Sequence, residues 1–295
     1  MFPKTIKVKS IQIVIITLLI IQILGGCSVT NLQKRGYVAP KNFHTTIHFT
    51  TSKTLIVLPV SMNGVNKNFL FDTGAQISLI QRDSVVGQTS KISGASKREM
   101  SVGEEIIESI KIGEVDFRET YAGNGDLVGL KEQIPSFGGL IGEPIINKAN
   151  WLIDFPNNRL EVSDKDLSDK TLYPVAIDKI DGSPYTNITI NGKKYKAIID
   201  LGSSTALTVP SNTSLAKELL KGNKFKVNER EIFTIGGLQK TTEKLVALPV
   251  VKLGKFKIKE VEVSIRKSSQ LRIGAALFKN NVVYIDNING RYMIK

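Results

Sequence analysis

Phe71-Asp72-Thr73-Gly74-Ala75 and Ile199-Asp200-Leu201-Gly202-Ser203 decide the reading of this chain. In each, an aspartate follows apolar residues and stands two places before a glycine. Leu70 and Phe71 precede Asp72, and Ile77, Leu79 and Ile80 follow it. Apolar flanks bury the ends of such a loop, while Gly74 permits a tight bend and the close approach of another backbone. The Thr73 hydroxyl both donates and accepts hydrogen bonds, so it can lock the loop to a neighbouring segment. An isolated Asp-Thr-Gly would suit a capped surface turn equally well.

The two stretches are not isolated. Asn63-Gly64 begins nine residues before Asp72, and Asn191-Gly192 begins nine before Asp200. Downstream, Leu140-Ile141-Gly142 is followed by Asp154 and Arg159. Arg272-Ile273-Gly274 is followed by Asp286 and Arg291 at the same intervals of 12 and 17 residues. Ile112-Gly113 and Leu253-Gly254 add a further matching turn, at an interval that differs between the copies. Matching anchors at fixed spacing are the signature of a duplicated unit. Each copy is about 120 residues, an ordinary domain size.

The segments between anchors read as strands. Thr54-Leu55-Ile56-Val57-Leu58-Pro59-Val60 is β-branched and apolar, and Tyr185-Thr186-Asn187-Ile188-Thr189-Ile190 alternates with period two. Asn-Gly between such runs marks a two-residue hairpin. Thr213–Lys221 is the one stretch with a helical pattern. Ser163–Lys170 is polar and charged and reads as a linker between the halves. Hydrophobic residues make up 41% of 295, enough for a sizeable core, and the single cysteine excludes an intrachain disulfide. The net charge of +13 is spread along the chain, with no accompanying nucleic-acid motif, so nucleic acid is not expected as a partner.

Asp72-Thr73-Gly74-Ala75, Ser78-Leu79-Ile80, Leu140-Ile141-Gly142 and Asp154–Leu160 together resemble the retropepsin-like aspartic proteases of the bacterial aspartyl protease group. The likeness covers residues 50–162 well and 183–295 more weakly. It implies an all-β chain of two tandem retropepsin-like barrel lobes, residues 43–165 and 172–295, around a central cleft as in pepsin. It implies catalysis by Asp72 and Asp200, with Thr73, Gly74 and Gly202 supporting their loops, on a peptide or protein substrate and with no cofactor or metal. Two carboxyls ~3 Å apart share one proton, so one activates a water and the other protonates the peptide carbonyl. The resemblance also implies a flap hairpin, with Met100–Glu104 and Phe233–Gly237 as candidates.

Leu201 stands where the family has a hydroxyl residue, and Arg272 where it has an apolar one. Three readings follow: a monomeric endopeptidase with an asymmetric grip, a non-catalytic peptide-binding relative, or a homodimer pairing Asp72 with its own copy.

Elsewhere, residues 1–26 read as an export signal. Lys4, Lys7 and Lys9 precede the apolar run Ile11–Leu24, which is shorter than the ~20 residues of a membrane span. Leu24-Gly25-Gly26-Cys27 resembles the lipobox, which implies a diacylglyceryl anchor on Cys27 and residues 27–42 as a tether. The expected location is the bacterial cell envelope, lipid-anchored and facing the periplasm or exterior. His44 and His48, the only histidines, sit in a β-branched stretch unsuited to a helical metal pair. Trp151 reads as core.

Overall fold

The computed structural model describes residue 32 and residues 34–94, 99–234 and 237–295. The export signal and Cys27 lie outside the described residues. The chain is built mostly of β-sheet. The first half contains β1 (Tyr37–Ala39), β2 (His44–His48), β3 (Thr50–Ser52), β4 (Leu55–Met62), β5 (Val65–Phe71), β6 (Ser78–Gln81), β7 (Thr89–Ser93), β8 (Glu99–Ile112), β9 (Val115–Gly125), β10 (Phe137–Ile141), β11 (Asn150–Asp154) and β12 (Arg159–Ser163). The second contains β13 (Tyr173–Val175), β14 (Asp178–Ile180), β15 (Ser183–Ile190), β16 (Lys193–Asp200), β17 (Leu207–Pro210), β18 (Phe225–Thr234), β19 (Gly237–Leu253), β20 (Phe256–Arg266), β21 (Arg272–Gly274), β22 (Val282–Asp286) and β23 (Arg291–Ile294). The longest described helix, Ser214–Gly222, starts where Thr213 Oγ1 accepts from Ala216 N at 3.2 Å, an N-cap that satisfies an otherwise orphaned donor.

Both Asn-Gly pairs form the turns expected of them. Asn63 and Gly64 join β4 to β5 with φ of 48° and 83°, and Asn191 and Gly192 join β15 to β16 with 49° and 80°. Positive φ at both central positions is the type I′ geometry that matches strand twist.

The two halves share one connectivity. In the first, β9–β6–β10–β5–β4–β8 closes on itself through the β8–β9 pairing. In the second, β20–β17–β21–β16–β15–β19 closes through β19–β20. Corresponding neighbours have the same sense: β5–β10 and β16–β21 are parallel, as are β6–β9 and β17–β20. Ring closure leaves few free strand edges. A third sheet, in the order β13-β23-β22-β11-β12-β2, takes strands from both halves. At its centre Trp151 faces Ile285, Leu152 faces Tyr284 and Ile153 faces Val283. Exchanging each residue for its counterpart in the other copy returns the same three pairs, so a pseudo-twofold axis passes by Leu152 and Tyr284.

One apolar cluster runs through both halves and includes Phe71, Trp151, Leu201, Ile273 and Phe278. Trp151 is core, as its sequence setting predicts. It is fully buried, stacks on Phe117 at 5.8 Å and donates its indole N–H to Ile146 O at 2.7 Å.

One expectation changes, and two gain detail. Tyr37–Ala39, read as tether, instead adds strand β1 to the edge of β9, with Val38 opposite Phe117. Met100–Glu104, a flap candidate, lies on the returning arm of the β7–β8 hairpin, where Met100 faces Ile92, and the other candidate, Phe233–Gly237, lies partly outside the described residues. Ser163–Lys170 joins β12 to β13 between the halves, and it is anchored: Leu167 N donates to Tyr284 Oη at 2.9 Å, and Arg291 and Lys295 pair with Asp166 and Asp169. Its charges have specific partners that no local pattern reveals.

Candidate active site

Each aspartate leaves the end of a strand and is held from below by the strand that runs parallel to it. Phe71 is in register with Ile141, and Asp72 N donates to Ile141 O at 2.9 Å. The chain then bends, and Ala75 O accepts from Glu143 N at 2.9 Å. In the second half Ile199 is in register with Ile273, and Ser203 O accepts from Ala275 N at 2.8 Å. Gly142 and Gly274 are required because the loop passes directly over them. A Cβ on Gly142 would lie 2.6 Å from Ile77 O, and one on Gly274 would lie 2.1 Å from Thr205 O.

The two loops meet face to face. A Cβ on Gly74 would fall 2.6 Å from Asp200 Cγ, and one on Gly202 would fall 2.2 Å from Asp72 Cγ. Each carboxyl group therefore rests against the glycine of the opposite loop, which brings the two side by side. Thr73, fully buried, donates to Ile199 O at 2.9 Å and accepts from Leu201 N at 3.0 Å. Leu201 has no hydroxyl to return these bonds. It is instead fully buried in the apolar cluster. Burying a leucine contributes about 1.5–3 kcal/mol, while a hydrogen bond contributes a net of about 0.5–1.5. Packing therefore offsets the missing half of the grip.

Burial pushes the Asp72 carboxyl well above the usual carboxylate range, and the charge and close approach of the Asp200 carboxyl add to this. The Gly74 N–H, 2.8 Å from Asp72 Oδ1, and the charge of Arg272 oppose it. Asp200 Oδ1 is buried and has no donor unless Asp72 carries a proton. The raised pKa favours the protonated form of Asp72.

Arg272 is the residue whose part the sequence did not reveal. Its Nη1 donates to Asp200 Oδ2, and both side chains are 9% exposed. The available signal was an arginine between Leu271 and Ile273 in a buried strand, which needs a carboxylate partner. Behind it lie Arg266 and Arg230, with Glu243 buried among Asn228, Ser264 and Arg230. His44, by contrast, sits on β2 and pairs with Glu161 at 3.0 Å.

No protein-family model matches this chain, and no curated protein matches it. Among solved structures it is similar to the crystal structure of basic 7S globulin from soybean, with a TM-score of 0.51 and 9% identity. The match covers 88% of this chain and 95% of that one. At that identity the likeness is one of fold.

Proposed function

We propose that this chain is an aspartic-type endopeptidase with two retropepsin-like lobes arranged as in pepsin. The observation that carries the reading is the meeting of Asp72 and Asp200, each carboxyl against the other loop's glycine. The matching strand rings around them support it. Asp72, protonated, would donate to the carbonyl oxygen of the peptide bond. Asp200 would take a proton from the attacking water. No covalent intermediate is needed. Asp200 already fills the place beside Asp72 that a second copy would occupy in a homodimer, which favours an intramolecular dyad.

A second reading, a peptide-binding protein without turnover, is favoured by one observation: Arg272 engages the carboxylate that would act as base. Incubation with a peptide library from acid to neutral pH, beside Asp72→Asn and Asp200→Asn, separates the two. Cleavage lost in both variants supports the dyad. Peptide bound but never cut favours the binding protein, and cleavage that survives Asp200→Asn sinks the shared dyad.

The lipid anchor at Cys27, and with it a place in a bacterial envelope, is part of the same proposal. Among the described residues no helix is long and apolar enough to cross a membrane. Labelling with radioactive palmitate, lost in Cys27→Ala, tests the anchor.

A further inference from the structure

The two flanks of the dyad differ in kind. On the Asp72 side, Leu140 packs with Leu79, Val102, Leu127, Leu130 and Phe137. On the Asp200 side the position of Leu140 is taken by Arg272, and Arg266 and Arg230 lie beside it. Arg272 pairs with Asp200 and Arg230 with Glu243, and among the described residues Arg266 has no ion pair. Arg266 has the poorest coordination. Its Nε is buried without a partner, and its Nη2 reaches Thr208 Oγ1 at 3.3 Å. Burial, and then the charge of Arg230, lower its pKa, as expected for a crowded cation. The cluster comes to the surface at Arg230, whose side chain is 27% exposed. It also extends to the junction of the halves: Arg230 Nη2 meets Ser204 Oγ at 3.0 Å, and Ser204 O accepts from Thr54 Oγ1 at 3.1 Å.

We infer that Arg266, Arg230 and Arg272 form a subsite for one carboxylate of the bound peptide, next to the bond that Asp72 and Asp200 would cleave. The inference rests on the peptidase reading and names its substrate class: peptides with an acidic group beside the scissile bond. A guanidinium presents a planar fork that matches a carboxylate, and one monoanion would supply the partner that Arg266 lacks. The carboxylate can come from an Asp or Glu side chain or from the peptide's own C-terminus.

The test is peptide binding to the purified full chain carrying Asp72→Asn, followed by fluorescence anisotropy. C-terminally amidated peptides carry a single Glu moved position by position through a Gln-containing sequence, and a free-acid peptide without Glu serves as the other arm. Glu at one position should tighten binding about tenfold or more over Gln, the scale of a charge-assisted hydrogen bond. Arg266→Met and Arg230→Met should each remove most of that preference. Arg266→Lys, which keeps the charge, should retain part of it. Preference for the free-acid peptide alone would support the subsite and assign the carboxylate to the chain terminus. Equal gains from Glu at every position would mean general attraction to a basic protein and would overturn the subsite. So would a preference that survives both methionine variants. Cleavage by the unsubstituted chain is read separately. Glu preference without cleavage sinks the peptidase and keeps the subsite, and cleavage without Glu preference does the reverse.

Discussion

Arg272 donates to Asp200 from the strand position that Leu140 fills in the first half. Two buried charges satisfy one another there, and removing one strands the other. Breaking such a pair costs about 3–5 kcal/mol, whereas exchanging both partners for apolar groups is often neutral. Arg272→Leu should therefore lower the unfolding free energy at neutral pH by about that amount, and Arg272→Leu with Asp200→Leu should recover most of it. Urea denaturation of both variants checks this. A single variant as stable as the parent would mean that the pair is not a buried ion pair in solution.

The glycines between the loops are a steric requirement of the dyad more than of the fold. In Gly202→Ala the new methyl must displace the Asp72 carboxyl, since its ideal position is 2.2 Å from Cγ. Misplacing a reacting group by about 1 Å costs roughly a hundredfold in rate. Overpacking of this kind costs about 1–3 kcal/mol of stability. On the proposed peptidase reading, cleavage by Gly202→Ala should fall at least a hundredfold while the variant still unfolds cooperatively, read from kcat/KM beside a thermal melt. Unaltered kcat/KM would place the chemistry elsewhere.

Thr73 serves as donor and acceptor across the junction of the halves, to Ile199 O and from Leu201 N. Thr73→Val keeps the shape and leaves both backbone groups buried without a partner, at a cost of about 1–3 kcal/mol each. Thr73→Ser retains the hydroxyl and should lose far less. Chemical denaturation of the two variants gives the comparison, and equal losses would show that the methyl group, not the hydroxyl, matters here.

Much of this arrangement was legible because it depends on local geometry repeated at fixed spacing. Asn63-Gly64 and Asn191-Gly192 specify type I′ turns through their own backbone preferences. Gly74, Gly142, Gly202 and Gly274 each mark a close approach of backbone or carboxyl. Partnerships across long separations were not legible. Nothing near Asp166 indicates Tyr284 and Arg291, and nothing near Asp200 indicates Arg272, 72 residues away. The edge strand Tyr37–Ala39 was missed for the same reason, since three residues carry no period and its partner β9 lies far along the chain.

Glu143 gives the fold a pH dependence separate from that of the dyad. It follows Gly142 at the start of the short helix Glu143–Ile146 and is 3% exposed. Burial raises its pKa from 4.5 to about 7, against the opposing effect of Lys179, whose Nζ lies 3.6 Å away. A folded-state pKa above the unfolded one means that the native protein holds the proton more tightly. This contribution to stability is present in full below the unfolded value and is lost as pH rises through the folded value. The window from 4.5 to about 7 corresponds to a loss on the order of 3 kcal/mol between acid and mildly alkaline solution. Glu143→Gln, a mimic of the protonated acid, should match the parent near about pH 4 and exceed its stability by about that amount near about pH 8. Lys179→Met should steepen the parent's decline, because the carboxylate would lose its one opposing cation among the groups acting on it. Unfolding free energies by urea across this range test both variants. A constant difference between Glu143→Gln and the parent at every pH would mean that Glu143 does not titrate in the folded protein within this window.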